Sequence, residues 1–249
     1  MATTMLLRVL YWNVWCLPAI ATDKKHSAYE RAKLIAPYTV GYDVVILNEA
    51  WPKWIKDVFR RHYSYSCTTS SKWYKIFDSG LIILSRYPIS NVRSHLYSEE
   101  SNWDWFVTKG VLQCDITIPL AGSTKTMTFA TTHMQAYEDS LAQHARKIQT
   151  NELINFINTN PHASDFLLIG DINMEHYPNP ATNDQIVRTQ CYDQILARTG
   201  LVDTTSRGPF HFMSSIDLTR MSVIRNMQPQ DQQGNYLTDG PYYEVNINV

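Results

Sequence analysis

The chain has 249 residues, of which 44% are hydrophobic, and its 22 basic and 23 acidic residues leave a net charge of −1. That length and apolar content suffice for one large folded domain, while the balanced charge offers no overall cationic field for a polyanion and so weakens a nucleic-acid-binding reading. No apolar run approaches the ~20 residues that span a bilayer. The cysteines Cys16, Cys67, Cys114 and Cys191 show neither a C-x-x-C pair nor the spacing of a structural zinc site.

The chain enters a strand-like run, "LLRVLYWNVW" (6–15), without the basic region, apolar stretch and cleavage site of a secretory leader. The expectation is a cytosolic chain as written, or the mature part of something once longer. "SAYERAKLIAPY" (27–38) predicts a helix, "DVVILNEA" (43–50) a strand, and "PKWIKDVFRRHY" (52–63) a second helix with Pro52 in its first turn. Strands follow at "GLIILSR" (80–86), "GVLQCDITI" (110–118) and "MTFATTHM" (127–134). A third helix, 139–157, is expected to set Leu141, Ala145 and Ile148 on one face. "DFLLIGDIN" (165–173) is a strand, 183–200 a helix capped by Gly200, and "MSVIR" (221–225) and "YYEVNINV" (242–249) are strands. Several runs are too continuously apolar to have a wet face, and the order is mixed. Stacked sheets with helices packed outside are expected, in one domain over residues 1–249.

The ends of these strands carry the chemistry. Asn13 interrupts "VLYWNV", Glu49 closes "VVILNE", His133 closes "FATTH", and Asp171 and Asn173 close "LLIGDIN". One such residue is ordinarily a hydrogen-bonded polar group in the core. Several of them, each ending a different strand and all acidic, amide or imidazole, point to a site, because strand ends converge where ligands bind.

The ordered motifs "YWNV", "ILNEAW", "SGLIILSRYPI", "TTHMQ", "IGDINM" and "SIDL" resemble the endonuclease/exonuclease/phosphatase superfamily, and within it the bacterial-type sphingomyelinases. The segments "DVVILNEAW", "SNWDWFVTKGVLQCDI" and "THMQAYEDSLAQHARKIQTNELINFI" are similar to that family's in length as well as residues. The resemblance implies an α/β (α+β), DNase I-like four-layer β-sandwich: two mixed sheets flanked by helices. It also implies hydrolysis of a phosphodiester with Mg²⁺ or another divalent cation. Glu49 would be the main metal carboxylate with Asn13 beside it, in keeping with the preference of Mg²⁺ for oxygen ligands. Asp171 and Asn173 would position water and a phosphate oxygen, His133 would donate to the phosphate, and Asp217 in "SIDL" would orient a catalytic group.

Near the C-terminus the family carries a Ser-Asp-His triplet in which the imidazole is the general base and the Asp fixes it. Here the triplet is Thr238-Asp239-Gly240. Asp-Gly is an ordinary turn dipeptide, but against the family pattern it is a base deleted, a change worth on the order of 10²–10⁴ in rate. Two readings follow: a sphingomyelinase-type phosphodiesterase impaired at Gly240, or a non-catalytic protein that keeps the fold for binding or assembly. A nuclease or phosphoinositide phosphatase ranks third. Trp103, Trp105 and Phe106 in "NWDWF" suit an interfacial anchor for a phospholipid surface, although strand alternation would also put Trp103 and Trp105 on one face of a core strand.

Overall fold

The computed structural model describes residues 5–17, 26–70, 78–101, 107–205, 210–226, 228–238 and 241–249. In chain order its elements are β1 (Leu6–Asn13), α1 (Ala28–Thr39), β2 (Val44–Asn48), α2 (Lys53–Arg60), β3 (Tyr65–Thr68), β4 (Ile82–Ser85), β5 (Ile89–Leu96), β6 (Gly110–Leu120), β7 (Ser123–His133), α3 (Ser140–Thr159), β8 (Phe166–Asp171), α4 (Asn183–Thr199), β9 (Val202–Asp203), β10 (Phe210–Ser214), β11 (Met221–Arg225) and β12 (Tyr243–Asn248). A 3₁₀ turn, Leu218–Arg220, precedes β11.

These strands form two six-stranded mixed sheets, ordered β11-β12-β1-β2-β4-β3 and β5-β6-β7-β8-β10-β9. Side chains alternate across each strand, and both faces are covered. From β1, Leu7, Val9 and Tyr11 enter the layer between the sheets, where Ile46, Phe129, Ile169 and Val245 meet them. The opposite face of β1 sends Leu10 and Trp12 against Ile35 of α1 and Phe59 of α2. On the second sheet, Ala130 and Leu168 pack beneath Leu153 of α3 and Ile195 of α4. Burial on both faces explains the continuously apolar runs, and the layers are helix, sheet, sheet, helix.

Register brings the strand ends together. β1 and β2 run parallel and finish level, Asn13 opposite Asn48. In the other sheet β7 and β8 are also parallel and finish with His133 opposite Asp171. Asn48 then staples the sheets: its Nδ2 donates to the Thr132 carbonyl at 2.9 Å, and its Oδ1 accepts from the Thr131 hydroxyl at 2.9 Å. Gly170 permits the close approach of β8 to β7, since a Cβ there would lie 2.4 Å from the Thr132 carbonyl oxygen.

The expected helices and strands are all present. The apolar face of α3 differs from expectation: Leu141 is exposed and Ile148 half-buried, while Ala142, Ala145, Arg146, Gln149 and Leu153 form the buried stripe. The face is turned by one residue because Arg146 and Gln149 hydrogen-bond inward to the loops that begin at Gln135 and Glu99. Gly200 caps α4 in the left-handed region, φ 72°, as its sequence position suggests.

Candidate active site and metal-binding cluster

Five of the residues singled out in the sequence meet at the pole where β1, β2, β7 and β8 end. The Asn13 side-chain amide spans the two sheets, its Nδ2 donating to Glu49 Oε1 at 2.9 Å and to Asp171 Oδ2 at 3.2 Å. His133 Nε2 stands 3.8 Å from Glu49 Oε1. One ligand atom each from Glu49, His133 and Asp171 lies within 4.8 Å of the others. Asn173 closes the group, its backbone N–H donating to Asp171 Oδ1 at 3.2 Å and its Nδ2 to the Met134 carbonyl at 3.0 Å.

Backbone geometry aims these side chains. Glu49 turns out of β2 with φ 60°, and Asn173 leaves β8 with φ 50°. Non-glycine residues reach that left-handed region at a cost, and it recurs at functional turns. Gly80 makes the Glu49 turn possible, because a Cβ there would lie 3.1 Å from Glu49 Cα and 2.8 Å from the Trp51 ring. The Asn173 turn is held by Arg188 of α4, whose Nη1 donates to the Asn173 carbonyl at 2.6 Å and Nη2 to the Tyr137 carbonyl at 3.1 Å. Asp184, shared between Arg188 and Arg146, fixes that guanidinium in turn.

Lys109, which the sequence did not single out, also joins this cluster. Its buried ammonium lies 2.7 Å from His133 Nε2. An ammonium only donates, so His133 Nε2 accepts and the ring proton sits on Nδ1, a buried atom with no partner among the described residues. Burial, and after it the Lys109 charge, hold the imidazole well below its ordinary range. Asp171 is affected oppositely: burial pushes its carboxyl up to about 6, against the pull of Lys109, Asn13, the Asn173 amide and His211. Beneath them the buried Tyr11 hydroxyl has no partner among the described residues, and burial together with Asp171 and Glu49 raises its phenol well above the ordinary value.

Asp217 does not join the cluster. β12 runs antiparallel to β1, and β11 antiparallel to β12, so Met221 pairs with Ile247 at the level of Leu7, the end of the sheet opposite Asn13. Asp217 precedes Met221 there. It is exposed and caps the 3₁₀ turn through the Thr219 N–H at 2.9 Å. Its position at that end of the sheet argues against an orienting role at the cluster. Asp239 and Gly240, and the aromatic residues Trp103, Trp105 and Phe106, lie outside the described residues.

Two parallel pairs of strands that end in a shared cluster of carboxylates, amide and imidazole define the class. The chain belongs to the Endonuclease/Exonuclease/phosphatase family, whose model matches residues 10–215. Within it the chain is sphingomyelinase-like. It is 30% identical over 194 residues to a putative neutral sphingomyelinase of Caenorhabditis elegans, a match covering 68% of this chain and 41% of that protein. The chain thus spans about two fifths of the length of the curated relatives it matches, 41% for this one. Among solved structures, sphingomyelinase C from Streptomyces griseocarneus matches with a TM-score of 0.69 at 17% identity, over 98% of this chain and 100% of that one. A Staphylococcus aureus beta toxin variant with bound magnesium ions gives a TM-score of 0.69 at 19% identity, over 98% and 100%. At such identities these structures establish the fold, DNase I-like, and the cluster supports a divalent cation.

Proposed function

We propose that the chain is a Mg²⁺-dependent phosphodiesterase of the sphingomyelinase type, cleaving sphingomyelin to ceramide and phosphocholine, whose hydrolytic step is weak or disabled because position 240 is glycine. The observation that carries this reading is the cluster itself: Asn13, Glu49, Asp171, His133 and Lys109 on the converging ends of both sheets. A surface with no ligand would have no physical need to bury so many polar groups in one place.

The donor set fits a hard cation. The Asn13 amide nitrogen bonds both carboxylates, Glu49 and Asp171, as a cation between them would, and oxygen ligands suit Mg²⁺. Glu49 and Asp171 would hold the ion, with the Asn13 oxygen available once the amide turns. When bound, the ion would neutralise charge developing on a phosphoryl oxygen. Lys109 supports the same side of the reaction: its ammonium, held against His133, faces the cluster as a fixed positive charge. His133 is therefore better read as the acceptor that seats Lys109 than as an Nε2 donor to phosphate. Asn173 and Asp171 orient a water through the turn that Arg188 holds.

In hydrolysis, water adds to phosphorus, the bond to the ceramide oxygen breaks, and that oxygen takes a proton. The attacking water must lose a proton as it adds. Glycine has no acceptor for it, which is why the step slows by about 10²–10⁴. That same glycine favours the second reading, a protein that binds cation and lipid head group without turnover. Trp103, Trp105 and Phe106 are proposed as an anchor on the lipid surface.

Thermal unfolding with and without Mg²⁺ tests the cation site. Saturating Mg²⁺ should raise the melting temperature, because a ligand that binds the folded state stabilises it by RT ln(1 + [L]/Kd). Glu49→Gln should abolish the rise. Equal stabilisation of both proteins would rule the assignment out.

A further inference from the structure

The four helices share a feature that the catalytic cluster does not use. α1 and α2 follow β1 and β2, and α3 and α4 follow β7 and β8, the four strands that end at the cluster. Each helix therefore starts at the site pole and runs back along its sheet. In the first turn of every one stands a large, exposed apolar side chain: Tyr29 in α1 (36% exposed), Trp54 in α2 (50%), Leu141 in α3 (66%) and Ile186 in α4 (40%). Helix first turns ordinarily favour polar and acidic residues, which satisfy the free N–H groups and the dipole. Isolated surface hydrophobes need no explanation, but one at the start of each helix around a single site does.

Neighbours of these side chains are tied to the site. Trp54 follows Glu49 by five positions in the chain. Arg188 bonds both the Asn173 carbonyl and that of Tyr137, itself 43% exposed. Trp15 accepts from Arg31 of α1 and donates its N–H to Asn13 Oδ1 at 3.2 Å. Tyr29 and Trp54 touch, with ring centroids 5.8 Å apart, and Lys33 Nζ lies 4.2 Å from the Tyr29 centroid. Lys53 is exposed beside Trp54. Aromatic rings flanked by lysines match the boundary between phosphate head groups and acyl chains. The apolar side chains come from four separate elements that start at the pole where His133, Asp171 and Lys109 are buried. Exposed apolar side chains gathered at that pole suit a bilayer surface, whose head groups carry the phosphodiester.

We infer that Tyr29, Trp54, Leu141 and Ile186 form an apolar collar that seats the chain, site pole first, on a choline-phospholipid bilayer; the choice of lipid rests on the phosphodiesterase reading above. The test is co-sedimentation with vesicles of phosphatidylcholine and sphingomyelin. The double variants Tyr29→Ser/Ile186→Ser and Trp54→Ser/Leu141→Ser should each partition on the order of tenfold more weakly than the unmodified chain, since interfacial binding scales with buried apolar area. Leu34→Ser/Val40→Ser, exposed residues further along α1 and at its C-cap, should partition like the unmodified chain. Vesicles of brominated phosphatidylcholine give a second reading on folded protein: they should quench the unmodified chain more than Trp54→Phe. Failure of the unmodified chain to bind vesicles, or equal losses in collar and α1 control variants, would overturn the inference. The Mg²⁺-induced rise in melting temperature, measured on the same proteins, reports separately on the cation site and should be unchanged by every collar substitution.

Discussion

Replacing Gly170 by Ala probes the contact that places Asp171 beside His133. A Cβ at this position would stand 2.4 Å from the Thr132 carbonyl oxygen, 2.9 Å from its nitrogen and 3.0 Å from its Cγ2. The first two are backbone atoms of β7, a strand hydrogen-bonded on both sides, so they cannot swing aside as a long side chain could. Overpacking of this kind costs about 1–3 kcal/mol. For a chain of this size each kcal/mol moves the melting temperature by roughly 2–4 °C, so a fall of about 2–12 °C is expected in a calorimetric or circular-dichroism melt. The strain has a second consequence. Gly170 pairs with Thr132, and the next pair is Asp171 with His133, so separating the strands should also shrink the Mg²⁺-induced stabilisation. An alanine variant that melts within a degree of the unmodified chain and responds fully to Mg²⁺ would refute the argument that this close approach builds the site.

Asp217→Ala should leave the Mg²⁺ response unchanged and lower the melting temperature only slightly, through loss of an exposed cap; a lost Mg²⁺ response would restore Asp217 to the site. His211 donates to Asp203 Oδ2 and to the Met174 carbonyl, both at 2.6 Å and both buried. His211→Ala should therefore cost about 3–5 kcal/mol by urea denaturation, the penalty for stranding a buried charge. Burial works against the Asp203 charge, but bonds from His211, Thr205 and Tyr192 more than offset it and hold the carboxyl below its ordinary range. That contribution is complete above the unfolded-state value of about 4 and is lost as pH falls through the lower folded-state value. The unmodified chain should thus lose stability on acidification below about pH 4 more steeply than His211→Ala.

Much of the architecture was legible because burial on both faces writes long apolar runs into the sequence. β3, β5, β9 and β10 were not read. β5, "ISNVRSHL", is a largely exposed edge strand with little apolar pattern, and β9 has two residues. β3 and β10 are short, four and five residues, and take their order from the strands they pair with. Within the cluster, Asn13, Glu49, His133, Asp171 and Asn173 were visible because a polar residue ending an apolar run needs a partner. Lys109 gave no such signal: it precedes a strand, where a lysine ordinarily reaches water, and its burial against His133 depends on the pairing of β6 with β7. Arg188 was hidden likewise, since only the packing of α4 across α3 carries its guanidinium to the Asn173 turn. Asp217 misled because motif order sets sequence position but not the pole of the sheet, which strand direction decides.

The most direct measurement is Mg²⁺-dependent hydrolysis of sphingomyelin, with a soluble choline phosphodiester alongside, by the unmodified chain and by Gly240→His. If glycine at 240 is the missing base in an otherwise complete site, the imidazole should raise the rate by roughly two to four powers of ten. The gain should require Mg²⁺ and vanish in the Glu49→Gln background. A folded Gly240→His protein with no Mg²⁺-dependent activity on either substrate would contradict the account, as would an unmodified chain that already turns over as fast as the variant.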